Sequence, residues 1–299
     1  MFDRIGQGIY WDRLWRLVDG CTPCSPGCEH CWSARESTRM AFNPNPKIHL
    51  PVAQLTTMSR IGWTGEIRLR ESNLDLPLRT KKPQSWLILN DLFHKQVPNS
   101  FIDQALDVME VCPQHIFLLL TKRATLIKGK LYGIKLGGGD YIPNVWPGVT
   151  IVNQGEADRK IRELVKIPAT VRWLSIEPML GPIDLKLNEY INCLWGSWKL
   201  KRLIKWVVLG GESGPGARPM HPDWARSVRD QCQEAGVPFY FKQWGEWVGA
   251  SQARIFDAAT WEGRGTQPFG DYQEVYRIGK KTAGRLLDGK ECSELPICK

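Results

Sequence analysis

Four cysteines, Cys21, Cys24, Cys28 and Cys31, fall within eleven residues of the sequence GCTPCSPGCEHCW. Thiolates are soft ligands that favour iron–sulfur clusters and zinc. Two spacings overlap: Cys24, Cys28 and Cys31 give C-x3-C-x2-C, while Cys21, Cys28 and Cys31 give C-x6-C-x2-C. Pro23, Pro26 and Gly27 set turns that can bring several sulfurs toward one point. Three thiolates on a four-iron cluster leave one iron open to a small chelating molecule. Four close the site, as in an electron-transfer cluster or a structural zinc. Disulfides are the third reading, but the chain has 9 Cys, an odd number. The remaining five, Cys112, Cys193, Cys232, Cys292 and Cys298, are scattered, and Cys112 and Cys232 read as helix core residues.

The C-x3-C-x2-C spacing followed by an aromatic, here Trp32, is the signature of radical S-adenosylmethionine enzymes. The competing zinc site would use all four thiols as C-x2-C-x3-C-x2-C, although zinc sites usually separate their two pairs more widely.

These cysteines need a scaffold, and the chain offers a parallel sheet. Short apolar runs at Trp86 to Leu89, Ile116 to Leu120, Val145 to Val149, Val171 to Ile176, Trp206 to Leu209 and Pro238 to Phe241 read as strands. Helical spacing marks Ser100 to Val111, Glu156 to Val165 and Asp223 to Ala235, the last stopped by Gly236. With a first strand just before the cysteine loop, about seven strands alternate with helices. The expected fold class is α/β: a partial or complete (β/α) barrel of the radical S-adenosylmethionine type, with mostly parallel strands. The 299 residues read as a single domain with insertions near 129–144, 184–205 and 252–272.

Chemistry in such sheets sits at the carboxyl ends of the strands. Asn90, Asp91 and His94 follow the second strand, and Thr121, Lys122 and Arg123 the third. Thr150 and Asn153 follow the fourth, and Ser175 and Glu177 end the fifth. Gly210, Gly211, Glu212 and Ser213 follow the sixth, and Lys242, Gln243 and Trp244 the seventh. The cysteine loop would share their rim. Carboxylates and Asn suit an ammonium and hydroxyls, and Lys or Arg a carboxylate. The cofactor contacts expected are therefore Asn90, Asp91, Thr121, Lys122, Thr150, Asn153, Glu177, Gly210, Gly211, Glu212 and Lys242. The glycine-rich GGESGPGARP, Gly210 to Pro219, lacks the ending of a phosphate loop.

Lys and Arg number 40 against 31 Asp and Glu, a net charge of +9. That excess suits a polyanion. From Asn192 to Gly211 basic residues interleave with Trp195, Trp198 and Trp206, a composition that fits stacked or flipped bases. DNA or RNA is thus one candidate substrate, beside a small metabolite and a peptide. No run of about 18 apolar residues exists, so no membrane span is expected, and a cytoplasmic location is the expectation. The sequence leaves the oligomeric state open.

The chain resembles the phage Gp37/Gp68 family of three-Cys-motif, radical S-adenosylmethionine-like proteins. The resemblance runs through GCTPCSPGCEHCW, LPLRTKKPQSWLILNDLFHKQVP, CPQHIFLLLTKR, NVWPGVTIVNQ, VRWLSIEPMLGPID, the stretch from Trp206 to Trp247 and VYRIGKKTAGRLLDG, in order from about residue 15 to 289. It implies a [4Fe-4S] cluster and S-adenosylmethionine. It also implies an external electron donor, reductive cleavage of the cofactor and a 5′-deoxyadenosyl radical that modifies a substrate. The family's usual cysteines match Cys21, Cys28 and Cys31, whereas the general spacing favours Cys24, Cys28 and Cys31. By motif position Asp91 stands where such enzymes bind the cofactor's amino group. Trp32 replaces a usual Tyr, and Ala34 a Glu common in the next helix turn. The alternative is a metal-stabilised nucleic-acid- or partner-binding protein without radical chemistry.

Overall fold

The computed structural model describes residues 1–43, 52–55, 61–132, 141–193, 200–250, 252, 265–269 and 273–296. Seven strands form the main sheet: β1 (Arg13–Trp15), β2 (Ser85–Ile88), β3 (Ile116–Thr121), β4 (Val145–Thr150), β5 (Trp173–Ile176), β6 (Trp206–Gly210) and β7 (Phe239–Gln243). Their order in the sheet is their order in the chain. This is the α/β class, in the strand order of a partial (β/α) barrel. The helices are α1 (Trp32–Ala41), α2 (Asn99–Glu110), α3 (Ala124–Tyr132), α4 (Gln154–Leu164), α5 (Pro222–Ala235) and the short α6 (Lys280–Ala283).

Contacts divide the chain into two compact units. The first comprises Met1–Asp3, Trp11–Val149 and Lys166–Thr170. Within it β1 pairs in parallel with β2, β2 with β3, and β3 with β4. All four residues of β2 and all six of β4 are buried, as strands covered on both faces must be. Trp15 packs against Trp86 and Phe117, and His115 against the same two strands. Helix α2 buries Phe101, Ile102, Ala105, Leu106 and Met109 along one stripe. Cys112 lies just past its end and is buried.

The second unit comprises Arg4–Tyr10, Thr150–Val165 and Val171–Lys299. Here β5 pairs in parallel with β6, and β6 with β7, with a register shift between Leu209 and Gly210. Trp173, Trp206 and Tyr240 surround the buried Tyr10 ring. Helix α5 starts at Pro222 behind His221, whose ring accepts from Asp223 N–H, and stops at Gly236 in the left-handed conformation. Cys232 is fully buried on it.

The segments that broke the strand–helix rhythm resolve differently. Ala124–Tyr132 is helix α3, and 133–140 lies outside the described residues. Ile191–Cys193 and Leu200–Arg202 form an antiparallel hairpin, while Trp195 and Trp198 lie outside the described residues. Trp247–Gly249, Gln273–Arg277 and Thr266–Phe269 make a three-stranded antiparallel sheet that the sequence reading did not foresee. Among the described residues no helix is long and apolar enough to cross a membrane.

Candidate metal centre and active site

The cysteine loop leaves β1 through Val18–Asp19, which pairs with Arg68–Leu69. Gly20 then turns with φ +86°, and a Cβ there would stand 2.0 Å from the Glu66 carbonyl oxygen, so only glycine fits this approach. Ser25 caps a short turn, Pro26–Cys28, by accepting from Gly27 N–H. Helix α1 begins directly after Cys31.

Residues at the carboxyl ends of β2 and β3 hold this loop within the first unit. Asn90 adopts the left-handed conformation, φ +62°, which Asn tolerates better than most residues. Its Nδ2 donates to the Val18 carbonyl at 2.7 Å, and its Oδ1 accepts from Ser33 Oγ at 2.5 Å. One side chain thereby ties the entry of the loop to the start of α1. Arg123 ties the middle: Nη2 donates to the Thr22 carbonyl at 2.6 Å and to Thr22 Oγ1 at 2.9 Å. Its Nη1 donates to Asp91 Oδ2 at 2.6 Å and reaches Cys21 Sγ at 3.8 Å. Asp91 Oδ1 accepts from Thr121 Oγ1 at 2.7 Å and from Phe93 N–H at 3.1 Å. Both carboxylate oxygens of Asp91 are thus engaged within the protein, and its side chain is only 8% exposed. His94 Nδ1 faces Gln96 N–H, so a neutral ring carries its proton on Nε2, 2.9 Å from Thr22 Oγ1.

The four thiols differ electrostatically. Burial pushes Cys21 up to about 11; the Asp91 charge adds to this and Arg123 opposes it. Cys24 donates to Cys28, which raises Cys24 and brings Cys28 down to about 5. Burial of Cys28 works against that fall, and the Lys122 ammonium and backbone N–H groups of Cys24 and Ser25 work with it. Cys21 and Cys31 lie close enough for their charges to interact. Among the described residues no group of three or more His, Cys, Asp or Glu stands in a metal-holding arrangement. The donor chemistry nevertheless fits a thiophilic centre: soft thiols in one loop, two of them coupled as donor and acceptor, with Lys122 and Arg123 supplying positive charge. Ala34 is buried on α1, and Trp32 is 52% exposed beside Cys31.

The other expected contacts belong to the second unit and have other partners. Asn153 caps α4, its Oδ1 accepting from Glu156 N–H at 3.0 Å. The Thr150 carbonyl accepts from Lys160 Nζ at 2.9 Å. Glu177 and Lys242 form an ion pair at 2.8 Å. Tyr10 Oη and Ser175 Oγ donate to the second Glu177 oxygen at 3.3 and 3.4 Å, and the Lys242 ammonium lies over the Tyr10 ring. Burial, then the Glu177 charge, push the Tyr10 hydroxyl well above its ordinary range. Glu212 is clamped by Arg218 through its backbone N–H, Nε and Nη2, which closes the glycine-rich loop on itself. Gly211 gives its carbonyl to Gln243 Nε2 at 2.9 Å.

Arg123, His94, Tyr10, Thr22, Ser33 and Arg218 were not among the expected contacts. Arg123 and His94 had a signal, their place just past a strand end. The partners of Tyr10, Ser33 and Thr22 lie 57 to 167 residues away, beyond any local pattern. Trp206 is fully buried in β6, so it offers no face to a base.

A family model described as "Protein of unknown function (DUF5131)" matches residues 7–296. No curated protein and no solved structure matches the chain.

Proposed function

Because the chain belongs to the DUF5131 family over almost its whole length, we propose its function from its own residues: a radical S-adenosylmethionine enzyme with a [4Fe-4S] cluster held by the loop of Cys21, Cys24, Cys28 and Cys31. The observation that carries the proposal is this loop, which follows β1 and is fastened by Asn90 and Arg123 from the ends of β2 and β3. The C-x3-C-x2-C spacing, Trp32 and the resemblance to the phage Gp37/Gp68 family support the same reading. When bound, the cluster supplies one electron for reductive cleavage of the cofactor.

The chain's own residues position and exclude. Asn90 fixes both ends of the loop, and Arg123 fixes Thr22 and Cys21. Lys122, whose ammonium acts on Cys28, is the cation for the cofactor's carboxylate. Asp91 acts through Arg123, since its oxygens are already satisfied. For the substrate, the net charge of +9 supports DNA or RNA. An external reductant must deliver the electron.

The test is anaerobic reconstitution with iron and sulfide, then reductant and S-adenosylmethionine. Broad visible absorption and release of 5′-deoxyadenosine are expected; a cluster that yields none overturns the radical reading. Counting iron in Cys21→Ala and Cys24→Ala assigns the third thiolate. A second reading, a closed metal site in a binding protein, is favoured by the fourth thiol, Cys24, whose side chain interacts with that of Cys28. A colourless protein containing zinc would establish it.

A further inference from the structure

The Arg123–Asp91 pair is almost wholly enclosed, with the two side chains 11% and 8% exposed. It stands directly against the cysteine loop. The guanidinium spends four contacts there: the Asp91 carboxylate at 2.6 Å, the Thr22 carbonyl at 2.6 Å, the Thr22 hydroxyl at 2.9 Å and Cys21 Sγ at 3.8 Å. A planar, permanently charged fork is the side chain that can meet several acceptors in fixed directions. Asp91 is in turn held by Thr121 Oγ1 and Phe93 N–H, so the fork has one orientation. One nitrogen, Nη1, meets both the Asp91 carboxylate and Cys21 Sγ, so both charges of the pair act on that sulfur.

We infer that Arg123 and Asp91 are a positioning pair that fastens the cysteine loop and sets the charge that a bound cluster experiences at Cys21. The inference rests on the proposed cluster. Among the described residues, the charged groups acting on the loop include Arg123, Asp91 and Lys122. A thiolate-bound cluster becomes more negative on reduction, and nearby charges alter that step strongly where solvent is excluded. Replacing Arg123 with a neutral side chain leaves the Asp91 carboxylate uncompensated and disfavours reduction. Replacing Asp91 leaves the guanidinium uncompensated and favours it. The two halves of one ion pair therefore push the potential in opposite directions.

The experiment is a redox titration of the full-length protein reconstituted anaerobically, with iron counted for each variant. Arg123→Gln is expected to make the cluster at least tenfold harder to reduce, a fall of ~59 mV for one electron. Asp91→Asn is expected to shift it upward, and Arg123→Lys to stay near the wild type. Thr22→Val, which removes only the hydroxyl acceptor, is expected to release iron to a chelator faster without moving the potential. If Arg123→Gln does not fold, Asp91→Asn decides the matter by the same readout. Arg123→Gln and Asp91→Asn proteins that load iron fully and share the wild-type potential overturn this inference and leave the cluster standing. A wild-type protein that takes up no cluster overturns the functional proposal first, and this inference with it.

Discussion

The Glu177 carboxylate occupies the space over Gly210: a Cβ on Gly210 would stand 2.8 Å from Glu177 Oε1, the oxygen that pairs with Lys242. The neighbouring Gly211 is tighter, because a Cβ there would lie 1.8 Å from the Trp244 carbonyl oxygen. The two glycines thus serve different ends. One leaves room for a side chain that can swing aside, the other for backbone that cannot. Gly210→Ala is expected to lower stability by ~1 kcal/mol as Glu177 is displaced from Lys242, Tyr10 and Ser175. Gly211→Ala is expected to cost ~3 kcal/mol or more, at the upper end of overpacking effects. Urea unfolding midpoints of the two variants check the order, and equal losses would refute it.

The cysteine loop should react unevenly in the reduced, metal-free protein. The thiolate is the nucleophile. Cys24 and Lys122 draw Cys28 down, whereas burial pushes Cys21 up to about 11, so the Cys28 thiolate forms at lower pH. Alkylation followed by mass spectrometry should therefore label Cys28 before Cys21 at pH 7. Cys24→Ala removes the hydrogen bond that most lowers Cys28, so the onset of Cys28 labelling should move up toward that of an ordinary thiol. Equal labelling of Cys21 and Cys28 across the pH range would refute the coupling.

What could be read from the sequence divides along the range of the interactions. Strands β2 to β7 are apolar runs because both faces are covered, and burial of every residue in β4 shows why the pattern was plain. Strand β1 is three residues, two of them exposed, so only its place before the cysteines marked it. Helix α5 was legible at both ends through Pro222 and Gly236. The candidate site was legible as residue types at strand ends. What each residue does was not, because the contacts run between distant segments: Arg123 meets Thr22 across 101 positions, and Tyr10 meets Glu177 across 167. Nothing local distinguishes an Asn that caps a helix, as Asn153 does, from one that fastens a loop, as Asn90 does.

Acid should weaken the second unit through Asp288. This carboxylate accepts from Arg226 and Arg229 of α5 and from Gln252. Partial burial works against ionisation, but these hydrogen bonds outweigh it and bring the group from 3.8 to about 2. A carboxylate lowered in the folded state stabilises it fully above the unfolded value. That contribution fades as pH falls from near 4 through about 2. Asp288→Asn is expected to cost of order 1 kcal/mol at pH 7, after allowance for solvent screening, and to cost little at pH 2. Thermal melts of both proteins at pH 7, 4 and 2 measure the difference. A gap that does not narrow in acid would show that the ion pairs contribute nothing.

Asn90 joins backbone strain to loop anchoring, and two substitutions separate them. Its φ of +62° disfavours any residue with a branched or bulky side chain. Its amide also bridges Val18 and Ser33 on either side of the four cysteines. Asn90→Gly keeps the conformation at no steric cost and removes both hydrogen bonds. Asn90→Ala removes the same bonds and adds ~1 kcal/mol of backbone strain. Global stability should therefore fall more for Ala than for Gly. Release of bound iron to a chelator should accelerate equally in both, since it depends on the lost bridge and not on φ. An Asn90→Gly protein that keeps iron as firmly as the wild type would remove Asn90 from the anchoring of the loop and leave Arg123 as its main tether.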